Sequence, residues 1–295
     1  MRWRDYLIPE TLEDAARALA DHAGCARVVG GGTDYFVDEG DESTAEVLVD
    51  VTRIRSLRQI WVEADYVIIG CGATHAQIVA SPIVQQHGAA LAEACGQIGG
   101  PQVRNVATLA GNVAHALPAA DGSIALLALG GEAQVAWAEA GKVHREWRPL
   151  EQLFRGPGQS AIDSRFQIIA ALRFPCQQAG EGSAFARVMR PQGVALPILG
   201  LALRLRLHDD GETIMAARLA LGPVAPVPFR ARQTEAFLVG RRADEQTLSE
   251  GVAVLSREVN PRTSPHRATA DYRREVLPVL FKTAWQAAVT RARVS

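Results

Sequence analysis

The first part of the chain combines one helical pattern with two short apolar runs. Apolar residues recur at the spacing of a single helix face at Leu12, Ala15, Ala16, Leu19 and Ala20. Thr11 precedes this pattern and can cap the helix, and two acidic residues follow it in the first turn, where the helix dipole favours negative charge. The apolar runs at 26–29 and 47–51 predict neighbouring strands, separated by an acidic loop at 38–46. We therefore predict a small βαβ-like unit.

The next region alternates strand and helix signals. We predict strands at 57–60 and 66–69 joined by a polar turn at 63–65, and a helical region from 82 towards 98. The stretch 101–118 contains several glycine and proline breaks and predicts a loop. A helix from 118 or 119 to 129 is expected next, because proline is favoured in a first helical turn. Further strands are predicted at 133–138, 143–147 and 166–174.

A polar, glycine-containing linker at 177–182 marks the expected boundary between two domains, 1–176 and 183–292. After the linker, leucines at 201, 203, 205 and 207 alternate with other residues, which is the period of a β-strand, and 213–221 can pair with this strand. The tail, 229–292, is helical by pattern, with breaks near Pro261 and Pro265. Mixed strands and helices followed by a sheet and then helices indicate an α+β fold.

Two features of the tail have simple structural interpretations. The apolar stripe formed by Val276, Leu277, Leu280, Ala284, Ala287 and Ala288 is expected in the hydrophobic core. The arginines at 230, 232, 241 and 242 are expected on a solvated face.

Composition excludes several classes of protein. Hydrophobic residues make up 48% and charged residues 21% of the 295 residues, which is typical of a folded globular protein. A net charge of -1 provides no basic field for nucleic acid or an anionic membrane. No stretch approaches the roughly 20 apolar residues of a membrane helix, and the start of the chain lacks the apolar run of a signal peptide, so we expect a cytoplasmic protein.

The four cysteines, at 25, 71, 95 and 176, are far apart in sequence and do not have the close spacing of metal or iron–sulfur ligands. We expect them to pack as small apolar side chains. Any iron–sulfur centre would therefore have to come from a partner.

A glycine-rich loop directly follows the strand at 26–29. Gly30, Gly31 and Gly32 can adopt positive φ angles and allow close approach of a ligand, and Thr33 adds a hydroxyl donor. Successive backbone N–H groups can converge on an anion such as a pyrophosphate. The motif has neither the GxGxxG spacing of a Rossmann site nor the GK[ST] ending of a P-loop. A tight turn that merely requires glycine is the alternative.

A second candidate loop runs from Gln102 to Asn112 and is followed by Pro118-Ala119-Ala120-Asp121. It combines small residues with hydroxyl and amide side chains. Asp121 either caps the following helix or accepts hydrogen bonds from the hydroxyls of a ribityl or ribose chain. Two such loops from separate subdomains can hold one extended dinucleotide between them.

This ordered set of motifs resembles the FAD-binding medium subunits of the molybdopterin hydroxylases, a family that includes the flavoproteins of carbon monoxide dehydrogenase and xanthine dehydrogenase. The resemblance depends on Gly31-Gly32-Thr33-Asp34, on 104–112, and on 118–121. It extends over nearly the whole chain through 81–82, 220–226 and 272–274. It implies a two-subdomain FAD-binding domain of the vanillyl-alcohol oxidase type, with subdomains at about 1–55 and 56–176, and a C-terminal α/β domain.

The resemblance also implies the contacts with FAD. The pyrophosphate would be bound by Val28, Val29, Gly30, Gly31, Gly32, Thr33, Asp34 and Tyr35, and by Thr108, Ala110, Gly111 and Asn112. Asp121 would bind the sugar-alcohol part of the cofactor. Ile98 would lie beside the ring system and Ile169 near the adenine end or the ring edge, although core packing is the commoner role of isoleucine. Arg187 belongs to the same set, because it precedes a loop that lies near the flavin in relatives.

The implied function is electron transfer inside a larger enzyme. A large subunit would oxidise the substrate at a molybdopterin centre, and [2Fe-2S] clusters in a small subunit would pass electrons to FAD on this chain. NAD, a quinone or oxygen would then receive them. The expected assembly is a dimer of heterotrimers. No acid, base or nucleophile of this chain is required, since the flavin supplies the chemistry.

Two departures from the family pattern bear on this interpretation. Ala110 replaces a frequent glycine and can restrict the φ freedom of its loop, and residues 191–195 lack the second arginine and the acidic residue of many relatives. The alternatives are a self-contained FAD-dependent reductase, for which His75, His87 and His115 are too scattered to indicate a proton donor, and a scaffold subunit that has lost its flavin. Of these histidines, His115 is the candidate for a cofactor contact because it lies at the second loop.

Overall fold

The N-terminal unit is a small parallel sheet covered by one helix. The computed structural model describes residues 3–35, 45–190, 196–265 and 267–295. Strands β1 (Asp5–Leu7), β2 (Ala26–Val29) and β3 (Val47–Asp50) form a parallel sheet in the order β1-β3-β2, and helix α1 (Leu12–Asp21) packs on it. Thr11 caps α1 by accepting a hydrogen bond from the Asp14 N–H at 3.1 Å, as its sequence predicts. Most of the acidic loop predicted at 38–46 lies outside the described residues.

The second subdomain is built on a larger antiparallel sheet with the strand order β4-β5-β10-β6-β7, with a small β8-β9 hairpin beside it. Its strands are β4 (Ile60–Glu63), β5 (Tyr66–Gly70), β6 (Glu132–Glu139), β7 (Lys142–Pro149), β8 (Phe154–Gly156), β9 (Gln159–Ser160) and β10 (Gln167–Pro175). Its helices are α2 (His75–Ala80), α3 (Pro82–His87), α4 (Ala89–Gly96), α5 (Pro101–Val106), α6 (Leu109–His115) and α7 (Asp121–Leu129). Both N-terminal subdomains contribute buried residues to one hydrophobic core.

Two predictions in this region are wrong. The strand expected at 57–60 is a short 3₁₀ helix, Arg55–Arg58, and the strand begins only at Ile60. The stretch 101–118 is not a loop, because it contains α5 and α6. Its breaks mark helix boundaries: Pro101 occupies the first turn of α5, and the side chain of Thr108 caps α6. The residues that we interpreted as loop breaks therefore mark the ends of short helices. Such helices are too short to show a helical period in the sequence.

The C-terminal domain places helices on an antiparallel sheet in the order β11-β12-β13-β14. The strands are β11 (Glu181–Met189), β12 (Pro197–Leu207), β13 (Ile214–Gly222) and β14 (Phe229–Arg230), and the helices are α8 (Arg232–Leu238), α9 (Glu245–Glu258) and α10 (Ala270–Val294). Helix α10 packs against β11 and β12. Of the predicted stripe, Leu277, Leu280, Ala284 and Ala288 are buried and Val276 and Ala287 are partly buried, which confirms their place in the core.

The arginines of this domain differ in solvent exposure, whereas all four were predicted to lie on a solvated face. Arg232, Arg241 and Arg242 are exposed, but Arg230 is not part of a solvated face, because its side chain is 11% exposed and pairs with Glu151 and Glu235. Arg204 is buried and donates to the carbonyl oxygen of Leu129 at 2.8 Å, which connects β12 to the end of α7. Polar contacts therefore join the two domains.

The cysteines fit their expected role in part. Cys71 and Cys95 are buried, whereas Cys176 is intermediate and Cys25 is exposed. Within the described ranges, no group of His, Cys, Asp and Glu side chains could hold a metal ion. No helix among these residues is both long and apolar enough to span a membrane.

Helix α10 provides a direct test of the C-terminal core. Phe281 is fully buried and makes an edge-to-face contact with Trp285, with ring centroids 5.9 Å apart. We expect Phe281→Ala to lower the free energy of unfolding by about 3–5 kcal/mol, through lost apolar burial and the remaining cavity. Val279 lies on the same helix and is 61% exposed, so Val279→Ala should change the free energy of unfolding by less than about 0.5 kcal/mol. Urea unfolding followed by circular dichroism measures this free energy for both variants. Equal effects of the two substitutions would contradict the assignment of Phe281 to the core.

Candidate functional site

The glycine loop after β2 lies directly against the second predicted loop. A Cβ atom on Gly31 would lie 2.0 Å from the carbonyl oxygen of Val106, the last residue of α5. A Cβ atom on Gly30 would lie 3.1 Å from the Thr108 hydroxyl oxygen. Gly32 has a φ angle of +70°, in the left-handed region that favours glycine. The glycines are therefore required both for a turn and for close contact between the two loops.

The backbone N–H groups of this loop are candidates for binding a ligand. The N–H groups of Gly30, Gly31, Gly32 and Thr33 donate no hydrogen bond to any residue that the structure describes. Successive N–H groups in a loop can converge on one acceptor, and an anionic oxygen can accept from several of them at once. The loop can therefore bind a phosphate-bearing ligand.

The residues around the loop have structural contacts of their own. Val29 is buried in β2, and the Val28 N–H donates to the Ser164 carbonyl at 2.9 Å. The Tyr35 ring stacks below the Arg27 guanidinium, 4.7 Å from the ring centroid, and burial raises the pKa of its phenol to about 12. The glycine loop is therefore positioned by contacts on both of its sides. These are made by Val28 and Val29 in β2 before the loop, and by Tyr35 after it.

Asp34 connects the glycine loop to the end of α6. Its carboxylate lies 3.1 Å from Nδ1 of His115, the last residue of that helix. The nearby His75 is buried, with its Nδ1 3.3 Å from the Cys95 sulfur. Burial lowers the pKa of His75 to about 4, with Arg104 acting in the same direction and Asp34 against it. A neutral, buried His75 is consistent with a structural role, whereas His115 lies at the site.

The residues of the second motif form the start of α6. The Thr108 hydroxyl accepts a hydrogen bond from the Gly111 N–H at 3.1 Å. Ala110 lies inside the helix and is not among the described residues with positive φ, so the conformation there does not require glycine. The Asn112 side-chain oxygen accepts from the Ser123 N–H at 3.1 Å and joins α6 to α7. Sequence reasoning missed Ser123, because its pairing with Asn112 spans a turn that no local pattern reveals.

Asp121 is not a helix cap. Ala120 occupies the cap position of α7 without a side-chain hydrogen bond, and the Asp121 carboxylate pairs instead with the guanidinium of Arg187 on β11. Both side chains are almost fully buried, at 3% and 2% exposure. Burial raises the pKa of Asp121 to about 6, although the charges of Arg187 and Arg267 oppose this shift. The local preference for a cap is overridden by a partner 66 residues away.

One oxygen of this carboxylate remains available. Asp121 Oδ1 is buried and accepts no hydrogen bond from the described part of the chain. The backbone of β12 lies close by, because a Cβ atom on Gly200 would lie 3.1 Å from this oxygen. A buried carboxylate oxygen without a donor is costly unless a ligand donates to it. A ligand hydroxyl is a suitable donor.

The two isoleucines are placed differently. Ile98 is half-buried after α4, and its carbonyl accepts from Arg104 at 3.0 Å. Ile169 is 5% exposed in β10, opposite Val135 of β6, within the hydrophobic core. Among the described residues, the contacts between the glycine loop and α6 do not include either isoleucine.

The available groups fit FAD. Among the described residues, the N–H groups of Gly30–Thr33 donate no hydrogen bond, which suits a pyrophosphate. Asp121 Oδ1 accepts none from the same residues, which suits a hydroxyl of the ribityl chain. The Gly31–Val106 contact keeps the two sides of the site together. No part of this description requires an acid, base or nucleophile.

Comparisons with known proteins agree with the fold and with this fit. Residues 2–177 match the family described as the FAD binding domain in molybdopterin dehydrogenase, and residues 183–288 match the CO dehydrogenase flavoprotein C-terminal domain. The putative xanthine dehydrogenase FAD-binding subunit of Escherichia coli (strain K12) is 29% identical over 285 residues, covering 96% of this chain and 94% of that protein.

Carbon monoxide dehydrogenase provides both a sequence and a structural relative. The medium chain of the Hydrogenophaga pseudoflava enzyme is 27% identical over 288 residues, covering 97% of each protein. A solved structure of carbon monoxide dehydrogenase from H. pseudoflava, lacking the Mo-pyranopterin moiety of the molybdenum cofactor, superposes with a TM-score of 0.87 at 26% identity and covers 98% of each chain. The α+β fold with its FAD-binding and C-terminal domains is thereby confirmed. The chain belongs to the FAD-binding flavoprotein subunits of the molybdopterin dehydrogenases, a family of oxidoreductases whose cofactor on this subunit is FAD.

Proposed function

We propose that this chain transfers electrons through FAD within a multi-subunit molybdenum hydroxylase. A large molybdopterin subunit would pass electrons to the [2Fe-2S] clusters of a small subunit, and these clusters would pass them to FAD on this chain. The electrons would then leave FAD for NAD, a quinone or oxygen. The relatives support this assignment, since they are named as an FAD-binding subunit and a medium chain of dehydrogenases. We extend the proposal to a dimer of heterotrimers in the cytoplasm.

The contact of Gly31 with the Val106 carbonyl is the observation that carries the proposal. It holds the glycine loop against the end of α5, and in the described part of the chain the N–H groups of Gly30–Thr33 donate no hydrogen bond. In our proposal, residues 28–35 and Thr108, Ala110, Gly111 and Asn112 surround the pyrophosphate. These residues bind and orient the cofactor, and FAD supplies the redox chemistry when bound.

Asp121 and Arg187 have linked roles in this proposal. Asp121 accepts from a hydroxyl of the sugar-alcohol chain through Oδ1, while Arg187 holds its other oxygen. The C-terminal domain thereby fixes the orientation of a group that binds the cofactor. Ile98 is proposed to lie beside the ring system, and Ile169 to contribute near the adenine end or the ring edge.

The proposal is tested first by an absorption spectrum of the purified chain, with chromatography of what acid releases. We expect flavin bands near roughly 370 and 450 nm and FAD in about equimolar amount. A folded, colourless protein that does not take up added FAD would contradict electron transfer and favour a scaffold role. Turnover of a small substrate by the isolated flavoprotein would instead favour a self-contained reductase.

The close contact between the two loops predicts that FAD binding is sensitive to substitution of Gly31. Gly31→Ala would place a methyl group against the Val106 carbonyl and force the loops apart. We expect the dissociation constant for FAD, measured by fluorescence titration, to rise at least about tenfold. Gly96→Ala is the matched control, because its added Cβ would lie 3.7 Å from Val79, an ordinary contact distance. Both variants should keep the wild-type circular dichroism spectrum, and equal FAD affinities would refute the proposed clamp.

Asp121 predicts a pH dependence. Its pKa is raised to about 6 in the protein without ligand, so the carboxylate is charged above this pH and becomes neutral below it. A neutral carboxyl group is a weaker acceptor for a cofactor hydroxyl. We expect FAD affinity to fall below pH 6, by at most about tenfold per pH unit. Asp121→Asn should bind FAD more weakly at pH 7.5 and lose this dependence, and an unchanged pH profile in the variant would exclude Asp121 as its source.

A further inference from the structure

A small cavity of about 240 Å³ lies between the two domains. The first domain contributes Leu129 and Gly130 at the end of α7 and Pro175 at the end of β10, and the C-terminal domain contributes strands β12 and β13. Among the described residues, none of those that line the cavity belongs to the candidate FAD site. Pockets for drug-sized ligands measure about 300–1,000 Å³, so this cavity suits a smaller ligand.

Three arginine side chains from β12 and β13 line the cavity. Arg204 and Arg218 are directly opposite each other on these antiparallel strands, and Arg206 follows Arg204 by two residues on β12. Residues two apart in a strand point to the same face of the sheet. Like charges directly opposite each other destabilise a sheet, so this arrangement is more stable with a negative charge close by.

The carboxylate in this cavity is already bound by one of the arginines. Among the described residues that line the cavity, Glu181 is the only one with a carboxylate, and it pairs with Arg204. Its two oxygens accept from Nε and Nη2 of Arg204, each at 2.7 Å. Arg204 also donates to the Leu129 carbonyl at 2.8 Å. Arg204 is therefore neutralised and fixed in place, and Glu181 does not compensate the charges of the other two arginines.

Arg206 and Arg218 have no carboxylate within 4.0 Å in the described part of the chain. Arg206 donates to the side-chain oxygen of Gln178, but its Nε is buried and has no acceptor among the same residues. The exposed Arg218 donates no hydrogen bond to any of them, and its guanidinium lies over Gly130, where an added Cβ would be 3.0 Å from Nη1. A buried N–H group without an acceptor is costly unless a ligand accepts from it.

The carboxylates that act on Arg218 are bound to another arginine. Glu151 and Glu235 both pair with Arg230. Partial burial and then the charge of Arg230 lower the pKa of Arg218, whereas Glu235 and Glu151 raise it. Because an arginine in a protein stays charged, the lowered pKa reflects unfavourable surroundings for the cation rather than loss of its charge. An anion beside Arg218 would improve these surroundings.

We propose that Arg206 and Arg218 bind a free tetrahedral oxyanion, inorganic phosphate, in this cavity between the domains. Guanidinium groups match the oxygens of such an ion, and the ion supplies the negative charge that Glu181 does not. The small volume of the cavity favours a free ion over a nucleotide. The bound ion offsets the repulsion between Arg204 and Arg218 and thereby stabilises the C-terminal sheet. This inference goes beyond electron transfer and does not depend on it, because the cavity is separate from the candidate FAD site.

The test titrates inorganic phosphate into the full chain saturated with FAD, so that the cofactor occupies the glycine loop. Isothermal titration calorimetry in a chloride buffer of constant ionic strength gives the Kd for phosphate. We expect Arg206→Gln and Arg218→Gln each to raise this Kd at least about tenfold. Arg242→Gln is the matched control, because it removes the same charge from the same domain, while its side chain is 64% exposed and pairs with Glu212 outside the cavity. This control should bind phosphate as the wild type does.

Thermal unfolding provides a second measurement on the same variants. Phosphate at about a hundred times its Kd should raise the Tm of the wild type and of Arg242→Gln by at least about 2 °C, but not that of Arg218→Gln. Sodium chloride at equal ionic strength should not reproduce this rise. Arg218→Gln should keep the wild-type circular dichroism spectrum, because the Arg218 side chain is exposed and donates no hydrogen bond within the described ranges.

Three outcomes would overturn the proposal. Equal phosphate affinity in Arg218→Gln and Arg242→Gln would exclude the cavity as the binding site. An equal rise in Tm with sodium chloride would show that salt merely screens the arginines. A nucleoside monophosphate that binds more tightly than inorganic phosphate, and loses this affinity in Arg218→Gln, would exclude the free ion as the ligand. A chain that takes up no FAD would contradict the proposed function alone, because the two variants can still be compared by the same titration without the cofactor.

Discussion

The contact between the Gly31 backbone and the Val106 carbonyl is the constraint on which the site depends. It lets a loop of the parallel-sheet unit lie on the end of a helix from the antiparallel-sheet unit, at a distance that no side chain permits. Within the described ranges, the N–H groups of Gly30, Gly31, Gly32 and Thr33 donate no hydrogen bond. Gly31 thus permits the packing of the two subdomains in a loop whose donors can face an anion. Thr108 adds to this arrangement by capping α6 beside Gly30.

The C-terminal domain determines the electrostatics of the site. Removing one partner of the buried Asp121–Arg187 pair would leave an uncompensated charge, at a cost of about 3–5 kcal/mol. Further polar contacts cross the same boundary: the Glu93 carboxylate accepts from the Phe185 N–H at 2.8 Å, and Arg204 donates to the end of α7. Their energies depend on orientation as well as distance, so the two domains are expected to keep a fixed relation. Burial raises the pKa of Asp121, and Arg187 on β11 opposes that shift.

The sequence predicted what local patterns encode. The helix capped by Thr11, the strand at 26–29 and the core stripe of α10 follow from periodicity, and all three are observed. The helices α5 and α6 were missed because each is shorter than two turns, too short for a periodic signal. Asp121 shows a different limit. Its position allowed a helix cap or a ligand-binding group, and the cap is excluded only by the structure, where Asp121 pairs with Arg187 of another domain. The loop at 191–195, where the chain departs from relatives, lies outside the described residues.

A net charge of -1 conceals an uneven distribution of arginines. Where α8 and β14 meet the first domain, Arg230 and Arg232 share Glu151, so the charges cancel within the fold. Within the described ranges, no carboxylate lies within 4.0 Å of the guanidinium groups of Arg190, Arg262 and Arg267, and Arg273 contacts the carbonyls of Ile198 and Arg262. The arginines of the C-terminal domain therefore differ in how their charge is balanced, although the net charge of the chain is close to zero.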